Sequence, residues 1–156
     1  MGIILKLSRQ DEDDIKQFAE KLTLCTSTIK SSIVIYLEGD LGAGKTTLAR
    51  AYIQHHGFKR VKSPTYTLVE SYKNNNVQIH HFDCYRISNP EELEYIGVRE
   101  YSSPGNIQLI EWPANGNGAI PEADLSISIS GNDNHRDVLI DAFTETGDEI
   151  LQCLDI

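Results

Sequence analysis

Gly39-Asp-Leu-Gly-Ala-Gly44-Lys45-Thr46 has the spacing of a phosphate-binding loop. Its glycines let backbone N–H groups turn inward around phosphate oxygens. A helix that starts there faces the same anion with its positive end. Lys45 is placed to reach the β- and γ-phosphates, and the Thr46 hydroxyl to meet Mg²⁺. The chain is therefore expected to bind a nucleoside triphosphate.

Such a loop works only between a strand and a helix. Ile33-Val-Ile-Tyr-Leu37 before it reads as a buried strand, and Thr47 to Gln54 after it as a helix. A carboxylate at the end of a neighbouring strand must also hold Mg²⁺ or orient water. Two acids qualify. Glu111 follows the apolar strand Ile107-Gln-Leu-Ile110, and Asp83 follows Val77 to Phe82. The C-terminal ends of core strands form the ligand edge of an open α/β sheet. Which acid meets the metal directly is left open by the residues alone.

Ser63-Pro-Thr65-Tyr66-Thr67 is a hydroxyl-rich loop after the P-loop helix. It can be a switch that senses the γ-phosphate, or a turn into the next strand. Trp112 is the only tryptophan, readable as core or as a partner-facing aromatic. The neighbours His80 and His81 point to opposite faces of a strand, so no shared zinc site is read.

The remaining elements complete an α/β pattern. Ile3 to Leu7 reads as a first strand. Ser8 and the acids Asp11 to Asp14 open a helix that presents Ile15, Phe18, Ala19 and Leu22 on one face. Thr67–Tyr72 and Val77–Asp83 form a hairpin. Asn89 caps a short helix with Pro90 in its first turn. Asn115 to Gly118 is a flexible turn. Leu125–Ser130 and Val138–Phe143 pair antiparallel, and a helix containing Ile150, Leu151 and Leu154 closes the chain. The expected fold is a P-loop NTPase-like mixed β-sheet flanked by helices on both faces, a single domain over residues 1–156.

Composition limits the function classes. A length of 156 residues with 40% hydrophobic residues supports one proper core. A net charge of −9 argues against a large nucleic-acid grip of the chain's own. The one dense basic stretch, Lys59-Arg60-Val-Lys62, reads as a solvated loop. Cys25, Cys84 and Cys153 lack metal spacing and are expected as reduced thiols in a cytoplasmic protein. Neither a secretory signal nor a membrane span is expected.

These segments together resemble one family. The P-loop, Ser63-Pro-Thr-Tyr-Thr-Leu-Val69, His81-Phe-Asp-Cys-Tyr-Arg86, Ile96-Gly-Val-Arg-Glu-Tyr101 and Ile110-Glu-Trp-Pro113 occur in the order and spacing of TsaE, formerly YjeE. The resemblance implies an ATPase in bacterial threonylcarbamoyladenosine modification of tRNA. It would join a TsaB–TsaD heterodimer, support repeated turnover, and meet tRNA only through that complex. By position, Leu41, Gly42, Ala43, Gly44, Lys45, Thr46 and Thr47 would cradle ATP. Thr46 and Glu111 would hold Mg²⁺, and Asp83 would act as base or order water. Lys45, Asp83 and Glu111 are then the catalytic set. Ser63, Thr65 and Tyr66 would form a switch-like loop, with Trp112 beside the nucleotide or the partner. Arg136 matches a position near the nucleotide. Cys84 stands where the family often has leucine. The resemblance implies full activity only with partners; oligomeric state is left open by the sequence, with a monomer as the default for the free form.

Three other readings share the P-loop. A small kinase for a metabolite or nucleotide is one, although the chain offers no arginine-rich lid. A GTPase switch is another, but no Asn-Lys-x-Asp element is present. The last is a nucleotide-binding scaffold without useful hydrolysis.

Overall fold

A computed structural model describes residues 4–131 and 135–155. All seven strands join one sheet in the order β1-β7-β6-β2-β5-β4-β3. They are β1 (Ile4–Gln10), β2 (Ile33–Glu38), β3 (Val69–Lys73), β4 (Gln78–Asp83), β5 (Asn106–Glu111), β6 (Leu125–Gly131) and β7 (Arg136–Ala142). The helices are α1 (Glu12–Thr26), α2 (Lys45–His55), α3 (Glu91–Tyr95) and α4 (Glu145–Leu154).

The mixed character of the sheet follows from its connections. β2, at the centre, runs parallel to both β5 and β6, and β4 runs parallel to β5. The hairpin adds β3 antiparallel to β4, while β7 and β1 extend the other edge antiparallel. As a result β2, β4 and β5 end on the same side. The P-loop, Asp83 and Glu111 therefore share one edge, with Asp83 directly opposite Glu111 in the register.

Alternation along β2 builds two cores. Ile33, Ile35 and Leu37 enter the larger one, with Leu48, Ala49 and Ile53 of α2 and Phe18 and Leu22 of α1. Val34 enters the smaller one, with Phe82, Leu93, Val98 and Ile110. Each buried Ile or Leu contributes roughly 1.5–3 kcal/mol of transfer free energy. Helical segments lie on both faces, but unequally. The long helices α1, α2 and α4 all cover the larger core. Among the described residues the other face carries only α3 and the 3₁₀ turns Val98–Ser102 and Pro113–Gly116.

Several local expectations are corrected. β1 continues through Ser8 to Gln10, so the helix cap is Asp11, paired with Asp14 in a capping box. Asn89 Oδ1 accepts the Glu91 N–H at 3.0 Å, but Pro90 stays outside α3. The expected flexible turn over Asn115 to Gly118 begins inside a 3₁₀ turn. Its Gly116 is packed so tightly that a Cβ would lie 2.8 Å from Leu93.

The reduced state expected for all three cysteines is also corrected. Cys25 near the end of α1 and Cys153 in α4 form a disulfide, with Cα atoms 5.7 Å apart. Both helices pack on one sheet face, which joins residues 128 positions apart. Cys84 alone is a free, buried thiol, and burial beside Asp83 and Glu111 pushes its pKa up to about 12. Among the described residues no helix is long and apolar enough to cross a membrane.

Candidate nucleotide site

The loop between β2 and α2 has the backbone of an anion cradle. Gly39, Gly42 and Gly44 take positive φ values of 144°, 78° and 112°. Glycine is required at Gly39 for space as well, since a Cβ there would lie 2.4 Å from the Ile129 carbonyl oxygen. Gly44 caps α2 without a side-chain hydrogen bond, so the first N–H groups of the helix remain open to an anion.

The cradle opens into a cavity of about 390 Å³. Leu41, Gly42, Ala43, Gly44, Lys45, Thr46, Thr47, Thr65, Asp83, Glu111, Trp112 and Arg136 all line it, with Tyr85 and Arg86. The sequence-predicted residues are thus gathered around one space, except two. Ser63 is exposed and does not line it, but its hydroxyl is bonded to that of Thr65 at 2.7 Å. Tyr66 lies outside, 82% exposed, with the Arg86 guanidinium 4.5 Å over its ring.

Lys45 is buried and folds back onto its own loop, donating to the carbonyls of Gly39 and Asp40. Its ammonium also sits 4.2 Å over the Trp112 ring. Burial draws its pKa below the ordinary value, while Glu111, Asp83 and Asp40 pull the other way. Trp112 holds this place through a left-handed backbone, φ 55° and ψ 51°, uncommon for a bulky residue. Tyr85 packs against it at 5.0 Å between ring centres.

The two acids are buried and separately anchored. Asp83 Oδ2 accepts the Thr65 hydroxyl at 3.3 Å, and Oδ1 accepts the Tyr85 N–H at 3.0 Å. The Ser63–Thr67 loop is therefore wired to the acid at the end of β4. Glu111 Oε2 lies 2.6 Å from Nε2 of His81, itself 1% exposed. Sequence reasoning weighed His81 as a zinc ligand and met it at the head of a family motif, but missed this contact. Among the described residues no cluster of three metal-type ligands forms. The strand alternation used to exclude zinc was also the signal that places His81 on the face of Asp83. His80 turns to the other face, where Ser71 meets its Nδ1 at 2.7 Å.

Arg136, at the start of β7, reaches across to donate to the Gly42 carbonyl at 3.0 Å. Together with Gly44 and Thr47 it also borders a second, smaller cavity of about 140 Å³ beside Gln10, Asp11, Glu12 and Ile15 at the start of α1. The oxygen-rich set of Thr46, Asp83 and Glu111 suits a hard divalent cation such as Mg²⁺. The glycine cradle, open helix end and lysine suit phosphate.

Comparison with known proteins identifies a family and a fold. Residues 9–138 match the family model described as threonylcarbamoyl adenosine biosynthesis protein TsaE. A tRNA threonylcarbamoyladenosine biosynthesis protein TsaE of Haemophilus influenzae is 47% identical over 137 residues, spanning 87% of this chain and 85% of the relative. Its counterpart from Bacillus subtilis is 32% identical over 145 residues, 92% and 87% of the two chains. A crystal structure of Bacillus subtilis YdiB superposes with a TM-score of 0.77 at 25% identity, covering 99% of this chain and 96% of that one.

Proposed function

The chain belongs to the TsaE family of tRNA threonylcarbamoyladenosine biosynthesis proteins, and from that premise we propose that it is the family's Mg²⁺-dependent ATPase. In this reading it hydrolyses ATP to ADP and phosphate in support of repeated turnover by a TsaB–TsaD transferase. It meets tRNA through that complex, acts in the cytoplasm, and is a monomer when free. The observation that carries the reading is the convergence of the P-loop, Thr46, Asp83 and Glu111 on one cavity.

Each side chain has a task in this reading. The backbone N–H groups of residues 41–47 and the start of α2 bind the phosphates. Lys45 leaves its loop carbonyls for the β- and γ-phosphates, a move that exchanges neutral acceptors for charged ones. Thr46 and Glu111 hold the metal. A magnesium ion supplies charge neutralisation and orientation of the phosphate oxygens. Asp83 orders the attacking water or takes its proton, and Thr65 reports that state to the exposed Tyr66. Arg136 fixes the loop and borders the smaller cavity.

In a reducing compartment the Cys25–Cys153 pair would be two thiols held together by helix packing. The site lies at the opposite end of α1, whose first residues border the smaller cavity. Its chemistry therefore does not need the disulfide.

The test is nucleotide binding and phosphate release with ATP or GTP, with and without Mg²⁺, for wild type and Thr46→Ala. ATP-dependent release that needs Mg²⁺ and is lost in Thr46→Ala supports the assignment. Release to a metabolite acceptor instead of water would favour a kinase. Mg²⁺-independent behaviour would remove Thr46 as a ligand.

A further inference from the structure

Glu111 ends β5 as a nearly buried carboxylate, and one of its two oxygens is already committed. Oε2 meets His81 Nε2 at 2.6 Å, with side-chain exposures of 4% and 1%. A carboxylate oxygen only accepts, so Nε2 carries the hydrogen. The other nitrogen, Nδ1, is buried without a hydrogen-bond partner. The ring is therefore aimed by β4 itself and by one contact, the one to Glu111.

The strand register explains the aim. β4 and β5 run parallel with Asp83 opposite Glu111, so His81 lies one pleat below both acids on the same face. Phe82 between them turns into the smaller core and locks the strand. A short bond to a group in such a position fixes the carboxylate plane. It leaves Oε1 as the oxygen offered to the cavity that Glu111 lines.

We propose that His81 is a positioning residue for Glu111, holding one carboxylate oxygen so that the acid meets Mg²⁺ through the other in a single orientation. The inference rests on Glu111 as a metal ligand. It assigns His81 the role that a neighbour behind a ligand plays in metal sites generally, where its loss costs about 10–100-fold in metal affinity or activity. Free rotation of Glu111 would let both oxygens compete for the ion. It would also let the acid turn toward Lys45 and form an ion pair that closes the site.

Two measurements test this. In protein labelled with ¹⁵N-histidine, the Nε2–H resonance of His81, assigned by its absence in His81→Gln, is followed on adding ADP in EDTA and then Mg²⁺. It is expected to move with Mg²⁺ and not with ADP alone. A resonance indifferent to Mg²⁺ overturns the proposal, and the Mg²⁺ response itself is read on the wild-type protein. Second, the Mg²⁺ concentration that half-saturates nucleotide binding, read from Trp112 fluorescence, is expected to rise about 10–100-fold in His81→Leu. Nucleotide affinity in EDTA should stay at the wild-type value. His81→Gln, which keeps an N–H at similar reach, is expected to recover most of the loss. Equal Mg²⁺ dependence in His81→Leu and wild type refutes His81 alone. Wild-type binding that ignores Mg²⁺ refutes both His81 and Glu111.

Discussion

Two glycines of the same loop should fail for different reasons, and the difference is measurable. Gly42 has φ 78° with open space where a Cβ would go, so Gly42→Ala meets only backbone strain. That strain is roughly 1–2 kcal/mol for an L residue in the left-handed region. Gly39 has φ 144°, and its added Cβ would lie 2.4 Å from the Ile129 carbonyl oxygen and 3.2 Å from the Ala43 Cβ. Neither neighbour is the end of a flexible side chain. Backbone strain of about 1–3 kcal/mol is then joined by about 1–3 kcal/mol of overpacking, since β6 or the loop must shift. At a loss of about 2–4 °C per kcal/mol for a chain of this size, the midpoints of these ranges, about 1.5 and about 4 kcal/mol, lower Tm by about 3–6 °C in Gly42→Ala and by about 8–16 °C in Gly39→Ala. Calorimetry at one fixed redox state gives both values, because reshuffling of Cys25–Cys153 would spoil a two-state comparison. Equal shifts would mean that contact with Ile129 does not hold the loop. A smaller shift for Gly39→Ala than for Gly42→Ala would refute the cradle geometry.

Arg136→Ala removes the bond to the Gly42 carbonyl; nucleotide affinity by titration calorimetry should fall by about tenfold, the size of one charged hydrogen bond. Burial lowers the pKa values of His56 and His80 from 6.5 to about 4. The unfolded chain takes up protons below pH 6.5 that the folded chain refuses until about 4, so stability is full near pH 7 and is lost as pH falls through this window. For His80 the loss between pH 7 and 5 should be about 1–2 kcal/mol by urea unfolding, and His80→Gln should flatten the slope. The Cys25→Ser, Cys153→Ser double variant opens a 128-residue connection; denaturant midpoints should show a loss of about 2–4 kcal/mol, with nucleotide affinity unchanged.

The sheet and the site were legible wherever periodicity and turn chemistry agreed. Ile33 to Leu37 alternates between the two cores, and the P-loop that follows fixes where β2 must end. Asp83 and Glu111 were readable as neighbours at the candidate site because each ends a strand on the same sheet edge. Their anchors were not. The Thr65–Asp83 and His81–Glu111 bonds join residues 18 and 30 positions apart through a strand register that no local pattern specifies. The disulfide is the extreme case, since only the packing of α1 and α4 on one face brings Cys25 to Cys153. The end of β1 was misread because Ser8 is a good cap residue in isolation. Pairing of β1 with β7 outweighs that preference and moves the cap to Asp11.

The central claim is tested most directly by threonylcarbamoyladenosine formation over many turnovers. Purified TsaB–TsaD, tRNA, ATP and activated threonylcarbamoyl donor would be mixed with wild-type protein, with Lys45→Ala, or with no addition. Sustained turnover with the wild type alone is the predicted result. Turnover that proceeds equally in all three would contradict the account.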